Sequence, residues 1–210
     1  MDFPDFEFER LAAAAGASVI VGVDEVGRGP LAGPVTAAAV RLHLDRIPVG
    51  LNDSKQLDRM RREELCEIIL TTAEVGIGHA SVEEIDAINI LRASHLAMCR
   101  AIAALPCAAD HVLIDGNMIP RDLTIRAEAI IGGDARCLSI AAASIVAKVT
   151  RDRMMVDLAQ QHPGYGWERN AGYPTREHVE ALEKFGVTPA HRRSFKPVHN
   201  ILYQAVSVTS

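Results

Sequence analysis

The chain has 210 residues, 49% of them hydrophobic and 23% charged, with a formal charge of −5. That mixture excludes a disordered polymer and supplies apolar material for one good core. The longest apolar runs, 11–22 and 140–147, fall short of the roughly 20 residues a helix needs to cross a bilayer. The first ten residues, MDFPDFEFER, lack the basic start of a secretory leader, so a cytoplasmic protein without a membrane partner is expected. The four cysteines, Cys66, Cys99, Cys107 and Cys137, form no CxxC pair, which argues for buried free thiols and against a zinc ribbon or redox motif. Charge is unevenly spread: residues 140–210 carry a balance of +3 and the rest −8. An acidic front and a basic back suit cations and phosphates respectively, although scattered solvated charge reads the same way.

Residues 1–16 read as an acidic start running into a short Ala-rich helix. Residues 19–23 form a β-branched apolar run that stops at Asp24-Glu25, the pattern of a buried strand. GRGPLAGP, 27–34, is a tight loop, and 35–42 is a second strand in hairpin with the first. Residues 58–73 show helical amphipathicity, 75–80 a strand, and 88–105 a helix stopped by Pro106. Short strands are expected at 111–114 and 124–131, ending at Asp115-Gly116-Asn117 and Gly132-Gly133-Asp134. A long helix spans 140–161, Ala-rich and then basic. A loop follows at 162–172, then a helix at 175–185 with Thr175 as N-cap, and a basic, then apolar tail. Hairpin strands followed by alternating helices and strands predict an α/β fold with a mixed sheet. The expected division is 17–160 for the main domain and 161–210 for a helical extension.

Asp24, Glu25 and Asp115 end strands, and Asp134 sits in a glycine-rich turn. Ligands of open α/β sheets bind beyond the carboxyl ends of strands. Carboxylates gathered there repel one another unless a cation intervenes, and all-oxygen donors suit Mg²⁺ or Mn²⁺. Strand-end acids that only face water or cap turns remain the alternative. The glycine run at 22–33 is neither a P-loop nor GxGxxG; it is a loop whose backbone can approach a ligand closely, or a turn that needs glycine for geometry. Ser54-Lys55, the helix residues Lys148, Arg151 and Arg153, and His191-Arg192-Arg193 with Lys196 are candidates for phosphate contacts or plain solvated charge. Tyr165, Trp167 and Tyr173 crowd one segment, as a stacking surface or as a small satellite core.

Seven blocks in order, GVDEVGRGPLAGPV (22–35), DSKQL (53–57), SVEEIDAINIL (81–91), LIDGN (113–117), SIAAASIVAKVTRD (139–152), GYPTREH (172–178) and TPAHRRSFKPV (188–198), resemble the motif series of ribonuclease HII, the type 2 ribonuclease H family. The resemblance implies a ribonuclease H-like fold: a five-stranded mixed sheet flanked by helices, with a C-terminal helical extension. It implies an endonuclease that cuts RNA in RNA–DNA hybrids and cuts 5′ of single ribonucleotides in duplex DNA; a monomer is expected, because nothing in the sequence points beyond one. Two Mg²⁺ or Mn²⁺ ions are the implied cofactors, with Asp24, Glu25, Asp115 and Asp134 as metal-binding, catalytic carboxylates. Asp152 is the alternative to Asp134; the position before the Ala-rich helix favours Asp134. The resemblance further implies that the backbone of Gly27, Arg28 and Gly29 reads the 2′-hydroxyl and that Tyr173 packs on the sugar. Ser54, Lys55, Lys148 and Arg151 would hold phosphates.

Overall fold

Five strands make one mixed sheet in the order β3-β2-β1-β4-β5, in a computed structural model that describes residues 3–204. β1 (Ile20–Val26) and β2 (Val35–Arg41) form the expected antiparallel hairpin, and β3 (Glu74–Ala80) extends it. β4 (His111–Asp115) and β5 (Arg126–Ile130) add to the other side of β1 in parallel. The switch from antiparallel to parallel at β1 makes it the central strand, and its burial on both faces explains the unbroken apolar run Val21–Val23.

The sheet is covered on both sides. On one face, α3 (Val82–Ile88) and α4 (Ile90–Ala103) pack Ile85, Ala97, Met98 and Ala101 on Val21, Val23, Ala37 and Val112. On the other face, α2 (Arg59–Thr72) and the long α5 (Leu138–Gln161) pack Leu65, Ile69, Ala142 and Val146 on Ala38 and Val40. The alanines of α5 let its backbone sit close to the strands. Gly22 marks the contact: a Cβ there would lie 2.2 Å from the carbonyl carbon of Ser139. The amino end of α5 is fixed by α1 (Glu7–Ala14), whose buried Glu9 accepts the Ser139 N–H at 2.8 Å.

The helix read over 88–105 is α4, and the separate helix α3, which apolar periodicity did not reveal, precedes it. Asn89 separates the two with φ +66°, and its side chain caps α4 through the N–H groups of Leu91 and Arg92. α3 begins with a capping box between Ser81 and Glu84, a signature that the spacing Ser-x-x-Glu carries in the sequence. The loop read at 162–172 contains a one-turn helix, α6 (Trp167–Asn170). α7 (Arg176–Phe185) starts at the expected N-cap Thr175, and α8 (Lys196–Gln204) follows. Their core joins Tyr165, Trp167, Leu182 and Val198 to Leu31, Ala32 and Met155. The C-terminal helices therefore dock on the loop that follows β1. The last six residues of the tail lie outside the described residues.

Candidate active site

Strand register brings the first two acids together. β1 and β4 run parallel with Val23 beside Ile114, so the next residues, Asp24 and Asp115, emerge side by side at the carboxyl ends. The third acid arrives from β5: after Ile130 the chain turns through Gly132 and a single 3-10 turn, Gly133–Ala135, into α5. Asp115 Oδ1 accepts the Gly133 N–H at 2.7 Å and pins that turn. Carboxylate oxygens of Asp24, Asp115 and Asp134 lie within 4.8 Å of one another. Asp152, the sequence alternative to Asp134, is elsewhere, paired with Lys148 on α5. Glu25 follows Asp24 on the strand and so leaves from the opposite face. It lines a small cavity with Asp115 and Asn117 and takes Arg28 Nη1 at 3.2 Å.

Burial holds the Asp24 carboxyl well above its usual range, and the charges of Glu25, Asp115 and Asp134 push it the same way. Burial also raises Glu25, against the pull of Arg28, and raises Asp134, against the pull of Lys55. A cluster with this electrostatic deficit fits a divalent cation, which removes repulsion that Lys55 and Arg28 compensate only in part. The Lys55 ammonium already shows the fit: it sits 3.1 Å from Asp134 Oδ2 and 3.7 Å from Asp53 Oδ1. Burial works against its charge, and the bond to Asp134 more than offsets this, so Lys55 titrates above its ordinary range. Ser54 beside it is buried, its N–H on Ser144 Oγ at 3.3 Å and its carbonyl taken by Arg62 Nη1.

Next to the acids, the loop 27–34 leaves β1. Gly27 adopts φ +93°, and a Cβ there would meet Arg151 Nε at 2.2 Å, so only glycine fits. The space above Gly29 belongs to the Tyr173 ring, 3.3 Å from an ideal Cβ. Tyr173 is 40% exposed and its backbone is tied to the loop, because Leu31 N–H donates to the neighbouring Gly172 carbonyl at 2.7 Å. The loop and Tyr173 thus form one surface, a few residues from Asp24.

Burial reassigns several of the expected contact residues. Arg151 does not reach a phosphate: it is fully buried, and it donates to the carbonyls of Pro34, Ala171 and Ala32 at 2.9, 2.9 and 3.1 Å. A helix residue between three and four turns from the amino end of α5 faces the loop, not solvent. Arg192 and His191 are buried as well, which leaves Arg193 and Lys196 as the exposed cations of that motif. Lys148 is half-buried and pairs with Asp152 Oδ1 at 2.7 Å. The aromatic trio divides: Tyr165 and Trp167 are core, and only Tyr173 is available. Sequence reasoning missed Arg62, which also holds the Leu57 carbonyl at 3.0 Å and so shapes the Ser54-Lys55 loop.

Buried carboxylates at parallel strand ends, beside a glycine loop and an exposed aromatic ring, define the class of sheet enzymes that work on phosphate esters with divalent cations. The chain matches the model of ribonuclease HII over residues 21–198, and it belongs to that family. The ribonuclease HII of Cereibacter sphaeroides is 68% identical over 206 residues, covering 98% of this chain and 97% of the relative. Among solved structures, the ribonuclease H2 of Pyrococcus horikoshii OT3 superposes with a TM-score of 0.74 at 26% identity, covering 89% of this chain and 98% of its own. Bst-RNase HIII, solved in complex with Mn²⁺, gives a TM-score of 0.73 at 19% identity, covering 95% of this chain and 73% of that one, and shares the fold. The chain is a ribonuclease H endoribonuclease with a ribonuclease H-like fold, and its family cleaves RNA in RNA–DNA hybrids. Among the described residues no helix is long and apolar enough to cross a membrane.

Proposed function

We propose that the protein cuts the phosphodiester 5′ of a ribonucleotide, in RNA–DNA hybrids and at single ribonucleotides in duplex DNA, leaving 3′-hydroxyl and 5′-phosphate ends. The carrying observation is the approach of three carboxylates from Asp24, Asp115 and Asp134 to within 4.8 Å beside a glycine loop. Asp24, Glu25, Asp115 and Asp134 would hold Mg²⁺ or Mn²⁺, two ions with substrate; Mn²⁺ is the ion in the complex of the related-fold Bst-RNase HIII. When bound, such cations activate water and neutralise charge developing on the phosphate and leaving oxygens.

The chain's own groups do the rest. Gly27, Arg28 and Gly29 present backbone to the 2′-hydroxyl, the one group that separates RNA from DNA at a given position. Tyr173 packs on the sugar. Lys55 and the Ser54 loop approach the phosphate backbone beside Asp134, and Lys55 would exchange its carboxylate partner for phosphate oxygen. No covalent enzyme intermediate forms; positioning supplies the rate. Acting as a monomer in the cytoplasm, the enzyme would remove ribonucleotides from DNA as a repair step.

A labelled duplex carrying one ribonucleotide, and its all-DNA twin, test this with Mg²⁺ and with Mn²⁺. One nick 5′ of the ribonucleotide and none in the twin is the expected result. Cleavage of both would make the protein a general nuclease, and cleavage of neither would leave it a hybrid-binding module.

A further inference from the structure

Arg151 and Arg192 are both fully buried, and every hydrogen bond their guanidinium groups make goes to a main-chain carbonyl. Buried cations normally sit on anions, because burial strips their hydration. Desolvation lowers Arg151 to about 10; it also lowers Arg192, with the Arg151 charge adding to it, to about 9. Both stay charged at neutral pH. Two positive charges are therefore stored directly beneath the loop that follows β1.

The grip of Arg192 is specific. Nη2 donates to the Gly27 carbonyl at 2.6 Å and Nη1 to the Arg28 carbonyl at 3.1 Å, while Nε holds Gly33 at 2.9 Å. The Phe195 ring covers the guanidinium at 5.1 Å. The Gly27 and Arg28 carbonyls belong to the peptide units that carry the N–H groups of Arg28 and Gly29. Those two N–H groups have no acceptor among the described residues, and both residues are exposed. A cation on a peptide oxygen draws electron density toward it and sharpens the N–H of the same unit as a donor. A planar fork meets two consecutive carbonyls from separate nitrogens held in one plane; a lysine ammonium offers a single nitrogen with no fixed plane.

We propose that Arg192, with Arg151 behind it, is a positioning residue: its fork aims and polarises the Arg28 and Gly29 amides toward a ribose oxygen of the substrate. The inference rests on the reading of this loop as the 2′-hydroxyl reader. It predicts a loss of discrimination without a matching loss of general DNA affinity.

The test is Arg192→Lys, with Arg151→Lys as the second variant. Binding is followed by fluorescence anisotropy with Ca²⁺ in place of the catalytic cation, on the one-ribonucleotide duplex and its all-DNA twin. Affinity for the twin should stay within about twofold, while the preference for the ribonucleotide duplex falls by about tenfold or more; with Mg²⁺, KM for that duplex should rise more than kcat falls. A folded variant that keeps the native preference, and loses only melting temperature and active fraction, would overturn the proposal. An unaltered protein with no preference would instead remove the loop reading itself. Should neither variant fold, the side-chain Nε–H signals of Arg192 in the unaltered protein decide. They should shift with the ribonucleotide duplex and not with its twin; an equal response to both would sink the idea.

Discussion

Asp24 is set against its own surroundings. It is buried, it faces Asp115 and Asp134, and its compensation inside the chain is the Glu25 N–H at 2.7 Å. The sign of the consequence follows. A carboxyl whose folded titration point lies above its unfolded one, near 3.8, binds its proton more tightly when folded, so it costs stability as pH rises through that window. The metal-free protein should therefore gain from Asp24→Asn by about 1 kcal/mol at neutral pH, and the gain should shrink as pH falls toward 4. Thermal melts in EDTA at several pH values check this, and activity should vanish in the same variant. Tyr173 is the contrasting residue. It is exposed and outside the core, so Tyr173→Ala should leave the melt within about 1 kcal/mol. Loss of a stacking partner, on the order of 1–3 kcal/mol, should slow cleavage at a lone ribonucleotide by about tenfold. Parallel melts and single-turnover assays separate the two effects.

Elements carry these residues with little freedom. β1 delivers Asp24, and α5 holds the turn bearing Asp134; the two meet where Gly22 lies against Ser139. Gly22→Ala would force the helix from the strand, at about 3 kcal/mol or more, and spread the acids at the same time. Denaturant unfolding and metal titration should both register the change; a stable variant with native metal affinity would mean that α5 does not set the cluster. Much of this layer was legible in the sequence. The apolar run closed by Asp24-Glu25, and the acids after the later strands, announce strand ends because side-chain hydrophobicity and β-branching report burial directly. Other parts were not. An arginine at 151 or 192 reads as solvated charge, since sequence pattern gives no sign that carbonyls instead of water will meet it. Helix α3 escaped because it is only seven residues long, although Ser81 and Glu84 spell out its start.

At the scale of the molecule, the C-terminal helices form a second, smaller core that leans on the active-site loop. Its centre is a neutral histidine pair. Trp167 Nε1 donates to His178 Nε2 at 2.9 Å, His191 Nε2 lies 3.2 Å from the same atom, and His178 Nδ1 meets the Tyr173 carbonyl at 3.0 Å. Thr188 N–H donates to His191 Nδ1 at 3.0 Å, which fixes the proton of His191 on Nε2, pointing at His178. Burial first, then the neighbouring His178, which would share any positive charge, brings His191 down to about 3; burial lowers His178 too. Groups depressed in this way contribute stability that is present above the unfolded value of 6.5 and lost as pH falls toward 3. Trp167 is the chain's one tryptophan, so its fluorescence reports this core alone. Acid titration should change the fluorescence below about pH 6.5, before the far-ultraviolet signal of the helices falls; coincident transitions would mean that the two cores share one fate. The sequence showed these aromatics as a cluster but could not say whether they stack on substrate or on one another, because both uses call for the same residues.

Gly27 follows Asp24 by three residues, so no more than about 11 Å of chain separates them, and Arg192 clamps the far end. On the proposed reading, the carboxylate that serves the bond to be broken and the backbone that recognises the sugar are two jaws of one rigid calliper. Such a tool measures instead of choosing. The cut should fall at one fixed phosphate beside the ribonucleotide whatever bases surround it, with sequence affecting how often the jaws close and not where. A glycine inserted after Val26 should lengthen the gauge, and nucleotide-resolution mapping of the nick should then show a displaced cut or none.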